Sequence, residues 1–163
     1  MNQPLQIVSI IIALQCEDKF LLVQRNNNDD IFPGKWQNLG GKIELGETVE
    51  KAIRREIKEE IGLEINKHPI FLQSYSWKKD NNGPARLGLI FLINLENTIK
   101  DYLVKLDREL EKFGWFSVEK IHEMNEKDML IGKDSPTGTF GQLSRVDRIL
   151  KGDLVEKLKS EEI

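Results

Sequence analysis

The segment from Thr48 to Ile61 constrains this chain more than any other. Set at 100° intervals, Val49, Ala52, Ile53, Ile57 and Ile61 form one apolar face, which predicts a helix packed along one side. Thr48 supplies a plausible N-cap and Gly62 a left-handed stop. The charges do not divide as they would on an ordinary surface helix. Glu56 and Glu60 fall inside the apolar arc, and Glu59 lies at its edge. Glu56 and Glu60 also form a like-charge i,i+4 pair, which costs stability on an isolated helix. A solvated helix with an Arg55–Glu59 ion pair is the plain reading. Arg55 alone offers too little positive charge for three carboxylates beside apolar side chains. Burying unpartnered charge is expensive, so the pattern calls for a cation. Oxygen donors without a nearby His or Cys suit a hard ion, Mg²⁺ or Mn²⁺, whose shell is usually completed by water and substrate phosphate.

The rest of the chain supplies a fold for this helix. Its 163 residues, 39% apolar and 31% charged, suit one globular domain over 1–163 with a real core. Ile7 to Leu14 and Lys19 to Gln24 read as a hairpin around the turn Gln15-Cys16-Glu17-Asp18. Asn26 to Asp30 reads as a loop, with further turn signals at Pro33-Gly34 and Leu39-Gly40-Gly41. Phe71 to Trp77 and Leu87 to Leu95 form a second predicted hairpin, flanking Asp80 to Gly83. Gly114 to Ser117 reads as a short strand before a helix over Val118 to Met124. Phe140, Leu143, Val146, Ile149 and Leu150 have helical spacing, with Thr139 as the expected cap; the tail from Asp153 is a further short helix or frayed. Hairpins mixed with helices disfavour a purely parallel sheet and predict an α+β class.

Composition narrows the function classes. A net charge of −3 gives no bulk positive field, so neither nucleic acid nor membrane is an expected partner. The longest apolar run is too short to span a bilayer and follows no basic leader, so a cytoplasmic location is expected. One cysteine, Cys16, allows no internal disulfide. Any function must come from a local site.

The residues Gly41-Lys42-Ile43-Glu44-Leu45-Gly46-Glu47, then Arg55-Glu56-Ile57-Lys58-Glu59-Glu60-Ile61-Gly62-Leu63, resemble the Nudix box over 41–63. All nine specified positions of that pattern match, and a chance match somewhere in the chain has a probability on the order of 10⁻⁷. Leu45 departs from the proline common in the family before Gly-Glu. The resemblance implies an α/β/α sandwich around a central mixed sheet, and hydrolysis of a pyrophosphate bond in a nucleoside diphosphate derivative. It also implies that Glu56, Glu59 and Glu60 ligate Mg²⁺ (or Mn²⁺), that Glu47 pairs with Arg55, and that the Gly41 backbone adds a metal or phosphate contact. Family members differ in their general base; among Asp107, Glu109 and Glu111 the resemblance favours Glu109, which otherwise reads as a surface helix residue.

The stretch Gly34 to Lys42 resembles the approach to the box in MutT-like nucleoside triphosphatases. There Gln37 or Asn38 is placed to read a base, although turn hydrogen bonding is the simpler role for Asn38. Trp36 has the best position among the tryptophans to stack on a base, though large aromatics are usually core. Arg25 and Lys42 are candidates for phosphate, and Asp128 resembles a base-reading aspartate. A (deoxy)nucleoside triphosphate is therefore the expected substrate. ADP-ribose or another nucleotide sugar is the main alternative, and a non-catalytic nucleotide sensor or a merely solubilising glutamate helix are others. The sequence leaves a homodimer open.

Overall fold

The computed structural model describes residues 6–77 and 83–152. Seven strands and three helices follow in the order β1 (Gln6–Cys16), β2 (Lys19–Arg25), β3 (Trp36–Gln37), β4 (Leu39–Lys42), α1 (Val49–Ile61), β5 (Ile70–Trp77), β6 (Ala85–Asn94), β7 (Leu110–Phe116), α2 (Val118–Glu126) and α3 (Thr139–Leu150), with a 3₁₀ turn at Ile99–Asp101. The sheet is mixed, as expected. Its main path runs β3-β2-β1-β6-β5, with β4 on β1 and β7 on β2. The long β1 runs parallel to β6 through Gln6↔Ala85 to Gln15↔Asn94, while the other pairs are antiparallel.

Alternation along the strands sends side chains to two faces. Leu21 and Val23 of β2 join Ile10, Ile12 and Leu14 against Ala52, Ile53, Ile57 and Ile61 of α1. Phe20 and Leu22 face the other way, toward Ile121 and Met124 of α2 and Leu143 and Val146 of α3. With both faces covered, β1 and β2 carry near-continuous apolar runs. The result is a sheet sandwiched between helices.

Several boundaries differ from the sequence reading. β1 continues through Gln15 and Cys16, and the hairpin turn is only Glu17-Asp18, both at positive φ (49° and 59°). That conformation matches the twist of paired strands, which outweighs the ordinary preference for Gly or Asn there. Leu39 to Lys42 is a strand rather than a turn, and β7 begins at Leu110 because it pairs along β2. Thr139 is the first helical residue of α3; Gly138 occupies the cap position, without a side-chain hydrogen bond. α1 agrees closely with its predicted span: Thr48 accepts from Lys51 N–H, and Gly62 adopts φ 70°. Asp80 to Asn82 and the tail from Asp153 lie outside the described residues.

Gly40 fixes β4 against β1. At φ +149° a Cβ on it would lie 2.1 Å from the Ile10 carbonyl oxygen. Backbone blocks that space, so no rotamer change relieves the clash. Gly40→Ala is therefore expected to lower unfolding stability by about 3 kcal/mol, from backbone strain plus overpacking. A urea midpoint unchanged from wild type would show that β1 and β4 can separate here.

Candidate active site

The C-terminal half of α1 forms one wall of an open cleft of about 370 Å³. Glu56, Glu59 and Glu60 come from α1, while Asp107 and Glu109 reach it from the turn before β7. Arg25, Asp29, Gln37 and Gly40 complete the lining. The helix thus turns its three glutamates to one cleft because Glu56 and Glu60 fall within the arc of its packing face and Glu59 lies at its edge.

Arg55 organises the near rim. Its Nε and Nη2 donate to the two carboxylate oxygens of Glu47, each at 2.9 Å, the two-point pairing a planar guanidinium favours. Nη1 donates to Glu56 at 2.8 Å and to Glu59 at 3.1 Å, and Nη2 also reaches the Lys42 carbonyl at 3.0 Å. The loop 42–47 is thereby tied to α1. The guanidinium holds the Glu47 carboxyl down at about 2, and its carboxylates push the Arg55 pKa up.

Glu60 has a different environment. Its Oε2 accepts from the Gly40 N–H at 3.0 Å, but burial pushes its pKa up to about 8, with the Glu56 charge adding to the rise. Burial also raises Glu56, against the lowering effect of Arg55. Across the cleft Arg25 pairs with Asp29 at 2.5 Å and holds that carboxyl low; its Nη1 donates to Gln37 Oε1 at 3.4 Å. The Arg25 Nε is buried without a partner.

The carboxylates are not drawn together around a single point. Among the described residues no three His, Cys, Asp or Glu side chains are gathered closely enough to hold an ion. Glu56 and Glu59 turn to Arg55, and Glu60 turns to Gly40, which explains the spread. The donor set nevertheless fits a divalent cation. It is all oxygen, and Glu60 is half-buried without contact to a cationic side chain. Gly41 also leaves a cradle that a Cβ would fill, 2.1 Å from Glu56 Oε1.

Not every candidate from the sequence reaches the cleft. The Trp36 ring is core: it is 9% exposed and packs edge-on against Phe116 at 5.2 Å, so no face is free for a base. Lys42 contributes its carbonyl to Arg55, and its side chain lines neither the cleft nor the cavity beside it. Asp128 is exposed and ion-paired with Lys35 at 2.9 Å, away from the cleft lining. Asn38 makes no turn hydrogen bond; its Nδ2 donates to Gln142 Oε1 at 2.8 Å. Glu109 sits in the turn preceding β7, not on a helix.

Asp29 and Gln142 escaped the sequence reading, whereas Asp107, named there among three candidate bases, does line the cleft. Asp29 lies in a loop without hydrophobic pattern, so nothing marked it. Gln142 carried a signal: it is a polar residue on the buried stripe of α3 with Thr139, Leu143 and Val146.

The chain belongs to the Nudix family, hydrolases of pyrophosphate bonds that generally use divalent metal ions: the NUDIX domain model matches residues 4–134. Among curated proteins it is similar to the nucleoside triphosphatase NudI of Escherichia coli O139:H28, with 29% identity over 112 residues, covering 66% of this chain and 79% of the relative. Among solved structures it shares its fold with the MutT protein of Methanosarcina mazei Go1, at TM-score 0.68 and 24% identity, over 93% of this chain and 99% of that one. The NUDIX domain of Shewanella oneidensis NrtR, solved with ADP ribose, has TM-score 0.68 and 16% identity, over 90% of this chain and 89% of that one. No helix among the described residues is long and apolar enough to cross a membrane.

Proposed function

We propose that this chain hydrolyses (deoxy)nucleoside triphosphates to the monophosphate and pyrophosphate. The observation that carries the reading is a pair of adjoining cavities. The acidic cleft shares Gln37 and Gly40 with an uncharged cavity of about 240 Å³, which in this reading gives phosphates and base adjoining places. The likeness to NudI supports the triphosphate.

In this reading Glu56, Glu59, Glu60 and the Gly41 backbone hold Mg²⁺ or Mn²⁺. When bound, that ion neutralises phosphate oxygens and makes water a better nucleophile. Glu47 and Arg55 keep the loop and helix in register. Arg25, which lines the cleft, meets a phosphate oxygen, and Glu109, from the turn before β7, accepts the proton of the attacking water. The oxygen of that water bonds to phosphorus, and the bridging oxygen between the α and β phosphorus atoms leaves with pyrophosphate.

ADP-ribose is the second reading, favoured by the fold shared with the NrtR domain that binds it. Triphosphates and ADP-ribose offered side by side with Mg²⁺ separate the two. The expected result is pyrophosphate release from a triphosphate, with kcat/KM at least about tenfold above that for ADP-ribose, and none in excess chelator. A higher kcat/KM for ADP-ribose would overturn the substrate while leaving the hydrolysis in place.

A further inference from the structure

Arg108 and Glu109 are the corner residues of the turn that delivers Glu109 to the cleft, closed by the Leu110 N–H on the Asp107 carbonyl at 3.1 Å. The peptide group between these two corners is held at both ends by side chains. Its N–H, that of Glu109, donates to Asp107 Oδ1 at 2.9 Å. Its carbonyl, that of Arg108, accepts from Asn26 Nδ2 at 2.8 Å, from the loop after β2. A carbonyl can only accept, so the Asn26 amide presents its nitrogen here. The Asn26 N–H reaches the next carbonyl, that of Glu109, at 3.3 Å, and the Asp107 N–H ties the turn to the Glu60 carbonyl of α1 at 3.0 Å.

This central peptide precedes the Glu109 Cα, so its orientation sets the direction in which the side chain leaves the turn. It is also the group whose rotation distinguishes the common four-residue turns from one another. The neighbouring carboxylates are already engaged. Asp107 accepts from the peptide N–H, while Glu111 accepts from Asn27 Nδ2 at 3.0 Å and does not line the cleft. Glu109 does line it, and its carboxylate makes no hydrogen bond or ion pair among the described residues. Asn26 itself lies outside the cleft lining.

Resting on the hydrolytic reading above, in which Glu109 takes the proton of the attacking water, we propose that Asn26 is a positioning residue for that proton transfer. Its amide holds the Arg108–Glu109 peptide in the orientation that brings the carboxylate to the cleft. Without the amide the peptide is held at its N–H end alone, and the carboxylate spreads over positions from which it does not meet the water.

The test is a double-variant cycle on triphosphate hydrolysis with Mg²⁺. Glu109→Gln is expected to lower kcat about 10²-fold. Asn26→Ala should lower kcat about tenfold and leave KM within about twofold, since the loss falls on the transition state and not on binding. In the Glu109→Gln background Asn26→Ala should cost no more than about twofold, because the group it places is already gone. Asn26→Asp keeps the size and the loop's backbone bonds but lacks the donor, and should match Asn26→Ala. Mn²⁺ affinity, followed by electron paramagnetic resonance, should stay within about twofold in both Asn26 variants, because the glutamates of α1 keep their places. A further loss of about tenfold from Asn26→Ala in the Glu109→Gln background would overturn this proposal alone. So would a kcat within about twofold of wild type in both Asn26 variants, or a raised KM at unchanged kcat, which would make Asn26 a support for Arg25 instead. A full rate in Glu109→Gln would overturn the general-base reading, and this proposal with it. Faster cleavage of ADP-ribose would overturn only the triphosphate reading, and the cycle run on that substrate has the same expected outcomes.

Discussion

Glu60→Gln is expected to lower kcat about 10³-fold and, at the same time, to stabilise the metal-free protein above neutral pH. Both effects come from one buried carboxylate. Gln keeps an oxygen to accept from the Gly40 N–H, so the fold survives, but it cannot offer a charge to a divalent ion. The stability effect follows from linkage. Burial raises the Glu60 pKa from 4.5 to about 8, so the folded state holds this proton more tightly than the unfolded chain does. The resulting stability is fully present below the unfolded value and is lost as pH rises through about 8. Wild type should therefore weaken over that window on account of this group, while Glu60→Gln does not. Added Mg²⁺ should raise the thermal midpoint of wild type near pH 8 and leave that of the variant unchanged. Melting curves against pH, with and without Mg²⁺, check this alongside pyrophosphate release. Parallel curves for the two proteins would mean that Glu60 carries no unbalanced charge.

The second large effect is expected at Arg55. Arg55→Ala removes the donor shared by Glu47, Glu56 and Glu59 and frees the loop at Lys42. Activity should fall about 10²-fold, because the carboxylates lose their placement rather than their charge. Mn²⁺ binding, followed by electron paramagnetic resonance, should stay within about tenfold of wild type, since removing a cation also makes the cleft more negative. Arg55→Lys should recover little: an ammonium cannot make the two-point contact with Glu47. Lys58→Ala, on the same helix, breaks an exposed pair with Glu64 beyond the helix end; it serves as the control and should change little. Full recovery by lysine would reduce Arg55 to a simple counter-charge.

What the sequence made legible was what is local. α1 announced itself by its period, cap and terminal glycine, and the glutamates inside its apolar arc pointed to a cation before any family likeness. The strands β1, β2, β5 and β6 carried enough β-branched and aliphatic residues to stand out. β3 and β4 did not, because two and four residues cannot display an alternation. Nor could the parallel pairing of β1 with β6 be read, since it depends on chain closure over a long separation. Trp36 shows the same limit from the other side: its position beside the glycines suggested a ligand, yet packing against Phe116 decided its place. Asn38 and Gln142 meet across 104 residues, and only the amide of Gln142 on the buried stripe of α3 hinted at it.

The segment from Trp36 to Lys42 changes partners midway, from β2 at Trp36–Gln37 to β1 at Leu39–Lys42. Asn38 stands at that change and belongs to neither strand. A side chain there can be replaced without rewriting the strand pairing on either side, whereas the glutamates of α1 are bound into loop, helix and core together. The uncharged cavity at Asn38 and the acidic cleft along α1 thus rest on mechanically separate supports.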